Sequence, residues 1–129
     1  MARNKYRILV VDDHPDIRAM LVLEMESSGY EVFEARDGRE AMTQVESVDF
    51  DLVIIDIAMP FVSGWEVGKS IKSSQRTRHI PILAITAIDT SENHQRCLQA
   101  GFDGFLPKPF SIPDLKARVE ALLGRVSPQ

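Results

Sequence analysis

Residues 52–60, LVIIDIAMP, indicate the fold class of this chain more strongly than any other segment. They begin with four apolar residues, three of them β-branched, a run too short for a helix and typical of a strand buried on both faces. Such a strand lies in the interior of a parallel sheet. Because Pro60 has no N–H and Gly64 readily adopts positive φ, we expect a loop after Asp56. Asp56 is therefore predicted at the carboxyl end of a central strand, where open α/β sheets bind their ligands, unless it only caps the strand or the next helix.

Length and composition are those of one globular domain. The chain has 129 residues, 44% of them apolar and 26% charged, as in soluble proteins with their own core. The net charge of −4 argues against a nucleic-acid-binding surface over the whole chain, though not against a local one. One cysteine, Cys97, excludes an internal disulfide and gives no metal-ligand spacing. With no apolar signal segment and no run near the roughly 20 apolar residues of a membrane helix, we expect a cytoplasmic protein that does not insert into membranes.

Five apolar segments alternate with five helical segments. The apolar segments are residues 6–11, 30–35, 52–56, 80–86 and 102–106. Helix starts are indicated at Pro15, Asp37, Ser63, Thr90 or Ser91, and Ser111. Nothing repeats internally, and no linker divides the chain. This alternation predicts an α/β fold, a single doubly wound five-stranded parallel sheet with right-handed crossovers and five helices on both faces.

Weaker local features are expected in the second half of the chain. Gly68 interrupts the third helix and is expected to cost up to about 1 kcal/mol relative to alanine. The fourth helix is thinly apolar, with Cys97 and Leu98 as its main core candidates, so we expect it to be held loosely. Residues 73–79 are polar and partly basic, and we expect them to form a solvated loop.

Polar residues stand where the predicted strands end. Asp12 and Asp13 follow the first strand, Asp56 ends the third, Thr86 ends the fourth, and Lys108 comes just past the fifth. The carboxyl ends of parallel strands share one edge, so the three carboxylates converge if the first and third strands are neighbours. Like charges at that distance raise one another's pKa unless a cation neutralises them. An oxygen-only cluster suits Mg²⁺, and Lys108 adds a point charge that holds an anion beside the metal.

A metal, a lysine and a hydroxyl around one carboxylate are typical of a phosphoryl-transfer site. Asp56 is the candidate nucleophile, Thr86 would hydrogen-bond a phosphoryl oxygen, and the metal and Lys108 would neutralise the others. Each residue alone has an ordinary structural explanation, such as helix capping by Asp12 or Asp13. Their occurrence at the ends of successive strands favours the chemical explanation.

These motifs resemble the receiver domains of two-component response regulators. The matching motifs are Val10-Val11-Asp12-Asp13, Asp56-Ile57-Ala58-Met59-Pro60 with Gly64, Ile85-Thr86-Ala87, and Phe105-Leu106-Pro107-Lys108-Pro109-Phe110. The resemblance runs from the first strand to the end of the last helix, and it implies a flavodoxin-like sheet of strand order 2-1-3-4-5. We expect residues 1–129 to form one receiver domain, either standing alone or cut from a longer chain.

The resemblance also implies a phosphorelay chemistry. Asp56 would accept a phosphoryl group from a phosphohistidine on a histidine kinase or a histidine phosphotransfer protein. Asp13, Asp56 and the backbone carbonyl of Ala58 would bind Mg²⁺, with Asp12 assisting through water. Lys108–Pro109 would be a cis peptide bond. The chain would catalyse only its own phosphoryl transfer and dephosphorylation, and so would not be an enzyme in the usual sense.

A switch and an output surface are implied as well. Thr86 and Phe105 would form the switch pair, and the face of the fourth helix, fifth strand and fifth helix would control a downstream protein target without direct contact with nucleic acid. Residues 103–105 lack the second acidic residue common in members that dimerise through this face, so we do not assume that dimer.

Some positions depart from the common pattern of the family. Phe61 stands where glycine is frequent. Ala58 and Ile88 occupy the two positions that tune the lifetime of the phosphoryl group. Ala58 neither orients a water molecule nor blocks it, and Ile88 is apolar and branched, so we expect slow self-dephosphorylation.

Other functional classes fit the residues less well. A phosphatase of the haloacid dehalogenase type needs a second aspartate where this chain has Ala58. A flavodoxin-like cofactor binder needs a phosphate-binding loop after the first strand, where Asp12 and Asp13 would repel a phosphate. The remaining alternative is a receiver-like protein-interaction module that works without phosphorylation.

Overall fold

Strands and helices alternate along the chain. The computed structural model describes residues 5–59, 63–87 and 90–124. The strands are β1 (Arg7–Val11), β2 (Glu31–Ala35), β3 (Leu52–Asp56), β4 (Ile82–Thr86) and β5 (Gly104–Pro107). The helices are α1 (Pro15–Ser27), α2 (Gly38–Ser47), α3 (Gly64–Ser73), α4 (Ser91–Gln99) and α5 (Ile112–Leu123). The predicted order of elements is confirmed.

All strands pair in parallel, in the order β2-β1-β3-β4-β5. β3 is therefore the central strand, and every one of its residues is buried. Val11 lies opposite Ile55. Asp12 follows Val11 and Asp56 follows Ile55, so the sheet register brings these two carboxylates side by side. The strand order that the resemblance implied is confirmed.

Helices cover both faces of the sheet. One face packs against α1 and α5, and its buried side chains include Ile8, Val10, Leu21, Met25, Leu115 and Val119. The other face packs against α2, α3 and α4, and its buried side chains include Leu9, Val53, Val45, Val67, Ile71 and Cys97. Because successive residues of a strand point to opposite faces, Ile8 and Leu9 belong to different clusters. The strand ends are thus held between two packed layers.

Side-chain caps fix the starts of four helices. The capping residues are Asp37, Ser63, Thr90 and Ser111, each accepting a hydrogen bond from the backbone N–H three residues later. α1 begins differently, with Pro15 as its first residue and no side-chain hydrogen bond from His14. The capping residues match the predicted helix starts. Of the two candidates for α4, Thr90 is the cap and Ser91 is the first residue of the helix.

Three local expectations need correction. Leu98 is 68% exposed and does not belong to the core, so only Cys97 anchors α4 by burial. The glycine at position 68 is explained by packing, because a Cβ there would overlap the Phe102 ring. The loop after α3 is not simply solvated, since the buried Thr77 hydroxyl donates to the Ile71 carbonyl oxygen at 2.7 Å.

Within the described residues, no helix has the length and apolar character needed to span a membrane.

Candidate phosphoacceptor site

Asp56 ends β3 at the carboxyl edge of the sheet and is 7% exposed. Its Oδ1 accepts a hydrogen bond from the Ala58 N–H at 3.0 Å, which orients the carboxylate. Its Oδ2 lies 3.4 Å from Lys108 Nζ. Gly64, the first residue of α3, packs directly on this strand end, and a Cβ there would lie 2.6 Å from the Asp56 carbonyl oxygen. A glycine is therefore required for α3 to start this close to Asp56.

Asp12 is fully buried beside Asp56. Its Oδ1 accepts a hydrogen bond from the His14 N–H at 2.8 Å. Its Oδ2 is buried with no hydrogen-bond partner among the described residues, and it lies 3.8 Å from Lys108 Nζ. Burial raises the pKa of Asp12, and the Asp56 carboxylate raises it further, while the His14 N–H and the Lys108 ammonium oppose the rise.

The three carboxylates form one cluster. Asp12, Asp13 and Asp56 each offer an oxygen atom, and these atoms lie within 4.8 Å of one another. Asp13 is exposed, so the cluster opens to solvent on its side. A buried carboxylate oxygen without a donor is costly unless a cation or a proton satisfies it. The oxygen-only donor set and this oxygen of Asp12 fit Mg²⁺.

Lys108 supplies the positive charge of the site. Its backbone N–H donates to the Thr86 carbonyl oxygen at 2.7 Å, which extends the pairing of β4 and β5 to the edge of the sheet. Its ammonium lies between Asp56 and Asp12. The Lys108–Pro109 peptide bond is cis. The lysine is thus held where it would contact an anion bound to Asp56.

Thr86 and Phe105 lie on neighbouring strands, Thr86 at the end of β4 and Phe105 within β5. Thr86 is almost fully buried. Phe105 is 9% exposed, and the His94 ring of α4 covers it with ring centroids 4.0 Å apart. The Phe105 ring is therefore buried, with a side chain of α4 lying over it. No motif in the sequence indicated the contribution of His94.

Sequence reasoning missed two further contacts near the site. The Arg18 guanidinium donates to the Asp12 carbonyl oxygen, and the Trp65 ring contacts both Phe102 and Arg96. For the contact of Arg18 with Asp12, the sequence offered one signal, which is an arginine one turn into the helix that follows an acidic strand end. Phe61 and Ile88 lie outside the described residues, so the expectations placed on them stay predictions.

Known proteins resemble this chain over nearly its whole length. Residues 8–120 match the family model of the response regulator receiver domain. The chain is 42% identical over 122 residues to the response regulator MprA of Mycolicibacterium vanbaalenii, an alignment that covers 95% of this chain and 52% of that protein. The chain therefore spans about half the length of the curated relatives it matches.

Solved structures resemble the fold over nearly the whole chain. The chemotaxis protein CheY4 of Vibrio cholerae superposes with a TM-score of 0.88 at 33% identity, covering 92% of this chain and 98% of that one. The receiver domain of the sensor histidine kinase PA1611 from Pseudomonas aeruginosa gives a TM-score of 0.85 at 29% identity, covering 93% and 98%. That structure has a magnesium ion coordinated in its active site cleft.

Proposed function

This chain belongs to the family of response regulator receiver domains, and on this basis we propose that it is the phosphoacceptor of a two-component or phosphorelay system. Receiver domains are signalling domains and not classical enzymes. The proposed acceptor is Asp56, the donor is a histidine kinase or a histidine phosphotransfer protein, and the proposed location is the cytoplasm. The main supporting observation is that Asp56 Oδ2 lies 3.4 Å from the Lys108 ammonium, within a cluster of three carboxylates.

In the proposed reaction, a carboxylate oxygen of Asp56 attacks the phosphorus of a phosphohistidine. A phosphorus–oxygen bond forms, the phosphorus–nitrogen bond breaks, and its electron pair stays on the imidazole of the donor. The hydrogen bond from the Ala58 N–H holds one oxygen of Asp56, which limits rotation of the carboxylate. The Lys108 ammonium neutralises charge on the oxygens of the transferring group.

The proposed metal ligands are Asp13, Asp56 and the Ala58 carbonyl, with Asp12 assisting through water. Mg²⁺ bound there would neutralise the oxygens of the phosphoryl group and orient it for in-line attack. The buried Oδ2 of Asp12, which has no donor among the described residues, supports this assignment. Without a cation, the three carboxylates repel one another and an anionic donor.

The proposed response involves Thr86, Phe105 and α4. Phosphorylation would draw the Thr86 hydroxyl toward the phosphoryl group and shift a two-state equilibrium on the face formed by α4, β5 and α5. Because Phe105 is buried beneath His94, we expect the change mainly in how α4 packs over that ring. A downstream protein target would bind one of the two arrangements of this face.

Intact-mass measurement with a small-molecule phosphodonor and Mg²⁺ tests the proposal. We expect the parent protein to gain one phosphoryl group and Asp56→Asn to gain none. The control Asp49→Asn, at an exposed aspartate that precedes β3 while Asp56 ends it, should gain one. If the parent gains none while remaining folded, the proposal fails and an interaction module that works without phosphorylation becomes the better account.

A further inference from the structure

We propose that Arg18 is a positioning residue for the acidic cluster, an inference that rests on the proposed function. Arg18 lies in the first turns of α1, and its guanidinium makes two contacts in different directions. Nη1 donates to the backbone carbonyl oxygen of Asp12 at 2.9 Å. Nε donates to Glu34 Oε1 at 2.9 Å, and the arginine side chain is only 17% exposed. One side chain therefore links α1, the end of β1 and β2.

The contact with Arg18 completes the anchoring of Asp12. The Asp12 N–H donates to the Ala35 carbonyl oxygen at 3.2 Å, and Oδ1 accepts from the His14 N–H. With the carbonyl oxygen held by Arg18, Oδ2 is the one polar atom of Asp12 that the described residues leave unpartnered. The residue can neither turn its peptide nor rotate its carboxylate freely.

The same contact constrains the backbone that leads into Asp13. The Asp12 carbonyl and the Asp13 N–H belong to one planar peptide unit, so fixing the carbonyl fixes the plane from which the Asp13 side chain extends. Asp13 is exposed, so packing constrains its side chain less than it constrains the buried side chain of Asp12. Arg18 thus holds the peptide unit from which Asp13 extends, through a contact on the backbone and not on the carboxylates themselves.

An arginine suits this role for a geometric reason. Its planar guanidinium donates along two fixed directions at once, whereas a lysine ammonium is a single point of charge. Glu34 holds the guanidinium in place through the charged hydrogen bond. A lysine at position 18 would keep the charge but could not reproduce both contacts from one head group.

The positive charge of Arg18 and its positioning role predict opposite changes in Mg²⁺ affinity when Arg18 is replaced. A positive charge near a cation site repels the ion, so electrostatics alone predicts tighter Mg²⁺ binding in Arg18→Gln. Loss of positioning predicts weaker binding. Outer partners of metal ligands typically contribute at least about tenfold in affinity, so we expect the dissociation constant of Arg18→Gln to rise by about that factor.

The experiment is a Mg²⁺ titration of the full chain followed by Trp65 fluorescence. The matched control is Arg7→Gln, which removes the same charge from an ion pair with Glu31 at the opposite end of β1 and β2. We expect the control to bind Mg²⁺ like the parent. Arg18→Lys keeps the charge, so electrostatics predicts no change in affinity, and positioning predicts weaker binding in this milder variant too.

A measurement without metal tests the contact itself. The amide nitrogen of Asp13 is bonded to the Asp12 carbonyl carbon, so its chemical shift in the metal-free protein should change in Arg18→Gln and not in Arg7→Gln. If the parent binds Mg²⁺ and Arg18→Gln binds it equally or more tightly, the role of Arg18 is wrong while the proposed function stands. If the parent binds no Mg²⁺, the proposed function fails and this inference fails with it.

Discussion

The Arg96 guanidinium lies 4.3 Å from the centroid of the Trp65 ring and joins α4 to α3. Trp65 also stacks on Phe102 with an interplanar angle of 13° and ring centroids 5.5 Å apart. Cys97 is the one buried residue of α4, so the contact of Arg96 with Trp65 adds to a small set of contacts that attach this helix. Trp65 directly follows Gly64, which packs on the backbone of Asp56. α4 is therefore tied to the helix that starts beside Asp56.

Replacing Arg96 should loosen α4. A partly exposed cation–π contact contributes about 0.5–1 kcal/mol, so we expect Arg96→Gln to lower the local opening free energy of α4 by that amount. Amide hydrogen exchange measured along α4 should accelerate accordingly. Arg39→Gln, on the surface of α2, is the control and should leave this exchange unchanged. Equal exchange in both variants would show that the stack does not hold α4.

Adding one methyl group at Gly68 should destabilise the protein. Helix propensity alone predicts that Gly68→Ala gains up to about 1 kcal/mol, but the new Cβ would overlap the Phe102 ring. Overpacking typically costs about 1–3 kcal/mol, so the net effect in urea denaturation should be destabilising. Gly68→Ala combined with Phe102→Leu should recover part of the loss. A single variant more stable than the parent would contradict this packing.

Cys97 should react slowly and should make stability depend on alkaline pH. Burial raises the pKa of its thiol to about 11, above the value of 9.0 for a free thiol. Between these two pH values the folded state holds a proton that the unfolded state has lost, so the free energy of unfolding falls as pH rises through about 9. The parent should lose more stability than Cys97→Ala over this range. Identical pH profiles would contradict the shift.

The phosphoryl group on Asp56 should be long-lived. Hydrolysis needs a water molecule in line with the phosphorus, and Ala58, an exposed residue of the loop after β3, offers no side chain to orient one. We expect Ala58→Asn to accelerate decay of the phosphorylated protein, measured by intact mass over time, and Ala58→Val to leave it slow. If Asn and Val variants decay alike, orientation of water at position 58 does not limit the lifetime.

The sequence predicted the elements well because each is specified locally. The apolar run of β3 and the caps at Asp37 and Ser111 depend on residues within a few positions of one another. The neighbouring positions of β1 and β3 came from resemblance, because strand order is a long-range property. This order then placed Asp12 beside Asp56.

Contacts between distant segments were harder to predict. Leu98 has a core-like residue type but falls on the exposed side of α4, and Gly68 is explained only by the Phe102 ring, which arrives from a later segment. The ring contact of His94 with Phe105 and the hydrogen bond of Arg18 to Asp12 also depend on how distant segments meet in the fold. Neither the periodicity nor the motifs of the sequence predict them. The candidate site could be predicted as a set of residues but not in its supporting contacts.

Locating the phosphoryl group in the sequence is the most direct test of Asp56 as the phosphoacceptor. After incubation with a small-molecule phosphodonor and Mg²⁺, borohydride reduces an aspartyl phosphate to the alcohol and releases phosphate, which marks the modified position in fragment mass spectra. We predict the mark at Asp56 with Mg²⁺ and its loss when the metal is chelated. A mark at Asp12 or Asp13, or the same yield at Asp56 without metal, would contradict the account.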